Sequence, residues 1–273
     1  MTYFEAIVLG LVQGLTEFLP ISSTAHLRIV PALLGWKDPG AAYSAVIQLG
    51  TVVAVLFYFR RDLFNLTRGF LQGLKDRKPF GTEASRLAWF VGLGTVPIGV
   101  MGLLFKSAIK TSLRSLYVIS ASLIILAIVL FIVERVAVQR RTLSELTLKD
   151  GLIIGLWQAL ALIPGSSRSG TTITGSLSLG LKRADAARYS FLLSIPSTTL
   201  AGLVELKDFF QAVDRPPAVM LVIGTVVSFV AGLGAISGML AFVRARSMLA
   251  FVVYRIVLGV TLLVLLGLGV LQP

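Results

Sequence analysis

Four ionisable residues stand inside stretches of sequence that are otherwise apolar: Glu17, His26, Arg168 and Arg255. Placing such a group at membrane depth costs roughly 3 kcal/mol, so each is a functional candidate by default. Gln13 and Glu17 are spaced i, i+4, and Ser23 and His26 are spaced i, i+3, so each pair shares one helix face. A carboxylate, a hydroxyl and an imidazole can therefore converge, which is the equipment of general acid–base or nucleophilic catalysis. The run Ser166-Ser167-Arg168-Ser169-Gly170-Thr171-Thr172 supplies different chemistry. Its Gly, Ser and Thr content suits an anion-cradling turn that opens a helix, where unpaired N–H groups and the positive dipole end favour phosphate. Arg168 adds a planar fork matched to phosphate oxygens, and Glu17 offers a hard oxygen for Mg²⁺ or Ca²⁺.

Blander roles compete with these. Serines after a proline are ordinary N-caps, a reading open to Ser22 and Ser166. Arg168 can clamp carbonyls, and Arg255 within a long span can snorkel or hold helices together. Tyr254, Gln48 and the Gly-rich spans read as packing.

The elements that must position these groups follow from composition. The chain has 273 residues, 56% of them hydrophobic and 14% charged, against about 25% charged in soluble domains. Its net charge of +12 is scattered between long apolar runs, which fits membrane topology and excludes a nucleic-acid partner. With no cysteine and one histidine there is no thiolate or His-rich metal site. Met1 to Glu5 lack a basic signal-peptide region, so the N-terminus is expected to be mature sequence.

Six apolar windows qualify as spans: 39–59, 87–105, 115–133, 189–204, 216–243 and 247–273. Two further stretches, 6–34 and 151–181, are interrupted by Glu17, Pro20 and Ser22-Ser23-Thr24, and by the segment from Pro164 to Gly170. Each reads as helix, polar break, helix. A break at that depth is tolerated only where protein or a water-filled cavity satisfies the backbone, so both are expected to be re-entrant hairpins. The layout puts sixteen basic residues on one side and seven on the other, Arg215 among the seven, with both termini outward.

The two broken stretches also repeat each other. Gly10-Leu11-Val12-Gln13-Gly14-Leu15 matches Gly155-Leu156-Trp157-Gln158-Ala159-Leu160 at an offset of 145, Pro20-Ile21-Ser22-Ser23 matches Pro164-Gly165-Ser166-Ser167 at 144, and Tyr43-Ser44 matches Tyr189-Ser190 at 146. The expected fold is a single all-α polytopic membrane domain, six transmembrane helices plus two re-entrant hairpins, arranged as an inverted repeat with halves near 1–140 and 146–273. Inverted repeats place broken helices tip to tip around a midplane site.

The residues from Gln13 to His26 and from Pro164 to Gly170 closely resemble the two signature motifs of the undecaprenyl-diphosphatase family, also called the bacitracin-resistance family. The resemblance runs nearly end to end, taking in Val46-Ile47-Gln48-Leu49-Gly50, Ser190-Phe191-Leu192-Leu193 and the Tyr254-Arg255 pair. It implies a phosphatase of the bacterial cytoplasmic membrane that converts undecaprenyl diphosphate to the monophosphate carrier for peptidoglycan, with a divalent cation, Mg²⁺ or Ca²⁺, as cofactor. It implies metal-site roles for Gln13 and Glu17, a catalytic hydroxyl and imidazole at Ser23 and His26, phosphate binding by Ser167, Arg168, Ser169 and Thr172, and a place for Arg255 in the same pocket. Ser22 joins the diphosphate-binding set as the cap facing it. Gln rather than Glu at position 13 leaves one carboxylate, so substrate oxygens and water would complete the metal shell. His26 could serve as base for water or Ser23, or as nucleophile; the favoured assignment is Ser23 as nucleophile with His26 as its partner. The expected partners are a prenyl diphosphate lipid and the bilayer, and a homodimer is compatible with them. The alternative is a transporter or flippase for a phosphorylated prenyl lipid, because inverted repeats with broken helices are transporter hallmarks.

Overall fold

The computed structural model describes residues 1–211 and 216–272. Arg215, counted above among the outward cations, and Pro273, the end of the last expected span, lie outside the described residues. Among the described residues the chain is all α, with twelve helices. In order they are α1 (Tyr3–Phe18), α2 (Ser23–Leu34), α3 (Gly40–Tyr58), α4 (Arg60–Lys75), α5 (Glu83–Leu104), α6 (Lys106–Lys110), α7 (Leu116–Val136), α8 (Leu148–Ala159), α9 (Arg168–Ser178), α10 (Arg183–Gln211), α11 (Ala218–Ala245) and α12 (Leu249–Gly267). Six of them, α3, α5, α7, α10, α11 and α12, are long and apolar enough to cross a membrane, and they coincide with the six expected windows.

The boundaries differ where charge misleads. The window 189–204 was bounded by Arg188 and Glu205, yet α10 runs for 29 residues, about 43 Å. Its charged ends extend past a hydrocarbon layer about 30 Å thick. The segment after α3 contains a helix that a search for charge-free windows passes over. On α4, Phe64 and Leu71 are exposed beside Arg60, Arg61, Arg68 and Lys75, while Leu63 and Leu66 pack against the core. Ion pairs collect at two ends. Asp38 meets Arg28 and Arg114, and Lys106 meets Asp208. Arg188 pairs with Asp62, Arg183 with Glu134, and Arg141 with Asp150.

The broken stretches form as pairs of shorter helices, α1 with α2 and α8 with α9. Both α1 and α8 open on a threonine capping box, Thr2 with Glu5 and Thr147 with Asp150, in which each side chain satisfies an otherwise unpaired backbone N–H. The two boxes stand 145 residues apart. One turn and a half further along, small residues let backbones touch. A methyl group on Gly10 would fall 2.6 Å from the Gly224 carbonyl of α11, and one on Gly155 would fall 2.4 Å from the Gly94 carbonyl of α5. Thus α1 leans on α11, and α8 leans on α5. Close backbone approach of this kind holds helices together where hydrophobic driving force between them is weak.

Candidate active site

Each break is a short extended turn followed by a strained serine. Helix α1 ends as Leu19 turns extended, and the short 3-10 turn after α8 ends in the same way at Ile163. Ser22 (φ 74°) and Ser167 (φ 68°) then cap α2 and α9, their hydroxyls accepting from Ala25 N–H at 3.4 Å and Gly170 N–H at 3.1 Å. Non-glycine residues at positive φ cost about 1–3 kcal/mol and persist where surrounding structure over-determines them. The caps stand 145 residues apart, which revises the expected register. Ser167, not Ser166, is the equivalent of Ser22. Ser166 is an extra residue in the second turn, its hydroxyl fully buried without a partner.

With this register, Ser23 and Arg168 are equivalent first residues of their half-helices, and both reach Glu17. The carboxylate accepts from Ser23 Oγ at 2.6 Å and Gln13 Nε2 at 2.8 Å on one oxygen, and from Arg168 Nη2 at 2.8 Å on the other. Glu17 is 7% exposed, so these charge-assisted bonds are made largely out of solvent, where they are strongest. The first tip thus contributes acid and hydroxyl, the second the cation. Phe18 packs edge-on against Phe191 at 5.2 Å, placing a rigid apolar floor beside the pair.

The remaining second-tip hydroxyls tie the structure together. Ser169 Oγ donates to the Leu19 carbonyl of the opposite turn at 2.9 Å. Thr172 Oγ1 donates to the Arg168 carbonyl at 2.7 Å and lies 2.6 Å from Ser190 Oγ of α10. Ser167 Oγ lies 3.1 Å from Ser169 Oγ. Arg168 Nη1 donates to the Ser190 carbonyl at 3.3 Å. The candidates Ser22, Ser23, Ser167, Arg168, Ser169 and Thr172 therefore do gather at one place, around the N-termini of α2 and α9.

His26 is differently placed from the expectation. Ser23 donates to Glu17, while His26 Nδ1 meets the Ser22 carbonyl at 2.7 Å and Nε2 meets the Tyr254 hydroxyl at 2.6 Å. The expected Ser23–His26 pairing is thus replaced by a Ser23–Glu17 pairing, with the imidazole bonded to the N-cap carbonyl that also accepts the His26 backbone N–H. Tyr254, read from sequence as packing, is the hydroxyl partner of His26 on α12. A tyrosine one turn from nothing polar in its own helix gives no local signal of this.

Arg255 beside it is fully buried. Nη2 donates to the carbonyls of Gly165 and Ser166 at 3.1 Å and of Ser122 at 3.3 Å, and Nη1 to that of Pro20 at 3.4 Å. It is bonded to both turns at once, as a clamp on their carbonyls.

Residues for a cation can be judged from an orphaned atom. Gln13 Oε1 is buried with no partner, adjacent to the Glu17 carboxylate. Among the described residues no group of three His, Cys, Asp or Glu side chains gathers in one place. Two hard oxygens, from Gln13 and Glu17, fit Mg²⁺ or Ca²⁺ provided that substrate and water complete the shell.

The chain is similar to known proteins along its whole length. The family described as Bacitracin resistance protein BacA matches residues 6–261. A protein named Undecaprenyl-diphosphatase from Myxococcus xanthus (strain DK1622) is 64% identical over 273 residues, covering all of this chain and 92% of the relative. Proteins of the same name from Chloroherpeton thalassium (strain ATCC 35110 / GB-78) and Chlorobium phaeobacteroides (strain BS1) are 51% and 50% identical, each covering all of this chain and 99% and 100% of the relative. Built on two capped turns that meet at a buried carboxylate, this chain belongs to the bacitracin resistance protein BacA family.

Proposed function

We propose that this chain is an undecaprenyl-diphosphatase, hydrolysing undecaprenyl diphosphate to undecaprenyl phosphate and inorganic phosphate, and that it thereby recycles the lipid carrier for cell-wall synthesis and confers bacitracin resistance. The observation that carries the mechanism is Glu17, bonded at once to Ser23 of its own turn and to Arg168 of the other. The full-length relatives that bear the enzyme's name support the substrate.

In this reading the diphosphate lies between the N-termini of α2 and α9, bound by their free N–H groups, by Arg168 and by the hydroxyls of Ser22, Ser167, Ser169 and Thr172. Ser23 Oγ attacks the terminal phosphorus while Glu17 takes its proton. The bridging P–O bond breaks and undecaprenyl phosphate leaves. Water then attacks the phosphoseryl phosphorus, His26 accepts the water proton, Glu17 returns the first proton to Ser23, and inorganic phosphate departs. Arg168 stabilises the charge carried by the transferred group, the main task in phosphoryl transfer. A divalent cation held by Gln13 and Glu17 would supply charge neutralisation on the phosphate oxygens. Arg255 holds the two turns in register.

The architecture assigned to this reading is an inverted repeat of two re-entrant hairpins in the bacterial cytoplasmic membrane, with both termini on the outer side. Its support is the set of features near one offset: the capping boxes, Gly10 and Gly155, and the caps Ser22 and Ser167. The test is phosphate release from undecaprenyl diphosphate by purified protein, with and without Mg²⁺ or a chelator, beside Arg168→Ala. Expected is metal-dependent release that falls at least 100-fold in the variant. Lipid binding without any release by folded protein would favour a transporter instead.

A further inference from the structure

The pairing of His26 with Tyr254 carries an inference about how the imidazole is held ready. A carbonyl oxygen only accepts, so the 2.7 Å contact with the Ser22 carbonyl places the ring proton on Nδ1. In the neutral ring Nε2 is then a bare acceptor, and its 2.6 Å partner, the Tyr254 hydroxyl, is the donor. His26 is 7% exposed, so without that donor its lone pair would be buried and unsatisfied, at a cost in stability. The ring would escape that cost by moving its proton to Nε2 or by turning. Both rings lie parallel, 7° apart in plane at 5.6 Å between centroids, which fixes the imidazole's orientation as well. Tyr254 is meanwhile 43% exposed on the outer face of α12, so its hydroxyl can leave Nε2 by side-chain rotation without disturbing the core.

We propose that Tyr254 is a positioning residue for His26: its hydroxyl stands in for the reacting O–H, keeping the imidazole in the Nδ1–H form and surrendering Nε2 when substrate arrives. The catalytic half of this proposal rests on the phosphatase reading; the tautomer half does not.

The test exploits the single histidine of the chain, which makes ¹⁵N-histidine spectra of a protein purified on a histidine-free tag unambiguous. Wild type is expected to show a protonated Nδ1 and an unprotonated, hydrogen-bonded Nε2. In Tyr254→Phe, which keeps the ring, the Nε2 signal is expected to move to that of an unbonded nitrogen or to become N–H. The same variant is expected to lose on the order of 10-fold in kcat with KM within about twofold, since misplacing a reacting group acts on the chemical step. A protonated Nε2 in wild type overturns the proposal, as do spectra unchanged by the substitution. Altered spectra with unchanged kcat overturn its catalytic half. Absence of phosphate release from wild type would sink the phosphatase reading alone, leaving the tautomer assignment to be decided by the spectra.

Discussion

Glu17 is held at depth by three donors, and each makes a different change informative. Removing the carboxylate strands the Arg168 guanidinium, whose side chain is 11% exposed, so Glu17→Ala is expected to destabilise by about 3–5 kcal/mol, read as a lowered thermal unfolding midpoint in detergent. Glu17→Gln keeps the shape but removes the acceptor for the Ser23 proton. We expect Glu17→Gln and Ser23→Ala each to lower kcat by about 10²–10⁴, and the double variant to be no slower than the worse single one. Additive losses in that kinetic cycle would mean that the two residues act in separate steps. Position 13 bears on the metal. Gln13→Glu places a second carboxylate one turn from Glu17, and phosphate release is expected to reach half its maximum at a lower Mg²⁺ concentration. A titration showing equal or higher demand for Mg²⁺ would remove residue 13 from the metal shell.

Helix contacts decide whether those side chains meet. The approach of α8 to α5 leaves no room at Gly155, where the nearest atom is backbone and cannot swing aside. Gly155→Ala is therefore expected to cost about 1–3 kcal/mol, measured as a shift in thermal unfolding, while Gly92, with open space around it, tolerates the same change. Glu134 plays a similar part at the opposite end, where its carboxylate accepts from Arg183 Nε at 2.6 Å and from the Met248 backbone N–H at 2.9 Å, just before α12. That contact anchors the helix that carries Tyr254 and Arg255. Local signals for several of these elements were present in the chain. Thr2 with Glu5 and Thr147 with Asp150 are capping boxes at one offset, a stronger repeat signal than glycines and leucines recurring in apolar sequence. The basic periodicity of α4 was equally legible, but it is invisible to any search that treats charge only as the end of a span.

At the scale of the whole molecule, two different tips make a single site. The first tip supplies acid, hydroxyl, imidazole and the Ser22 cap; the second supplies the cation and the hydroxyls of Ser167, Ser169 and Thr172. The sidedness proposed above rests on the asymmetry of basic residues between the two sides. Since the chain has no cysteine, single substitutions report on it cleanly. Leu34→Cys, 55% exposed near Asp38, is expected to react with a membrane-impermeant thiol reagent on intact cells, and Leu74→Cys, 48% exposed on α4, only after the membrane is opened. The reverse pattern would invert the assigned topology.

Composition, hydropathy and spacing by themselves determined the six spans, the two polar breaks and the residues able to do chemistry, because each is a local property of consecutive side chains. Membrane burial makes those signals strong: a charged residue in a long apolar run has few reasons to be there. What only the tertiary structure decided is which of the residues pair. Ser23 lies near both Glu17 and His26 in the chain, and spacing alone cannot rank the two acceptors. The folded turn ranks them, with the imidazole on the Ser22 carbonyl and the Ser23 hydroxyl on Glu17. Tyr254 and Arg255 reach the first turn from more than 200 residues away, and no local pattern encodes contacts set by how α12 packs against α7 and the two turns.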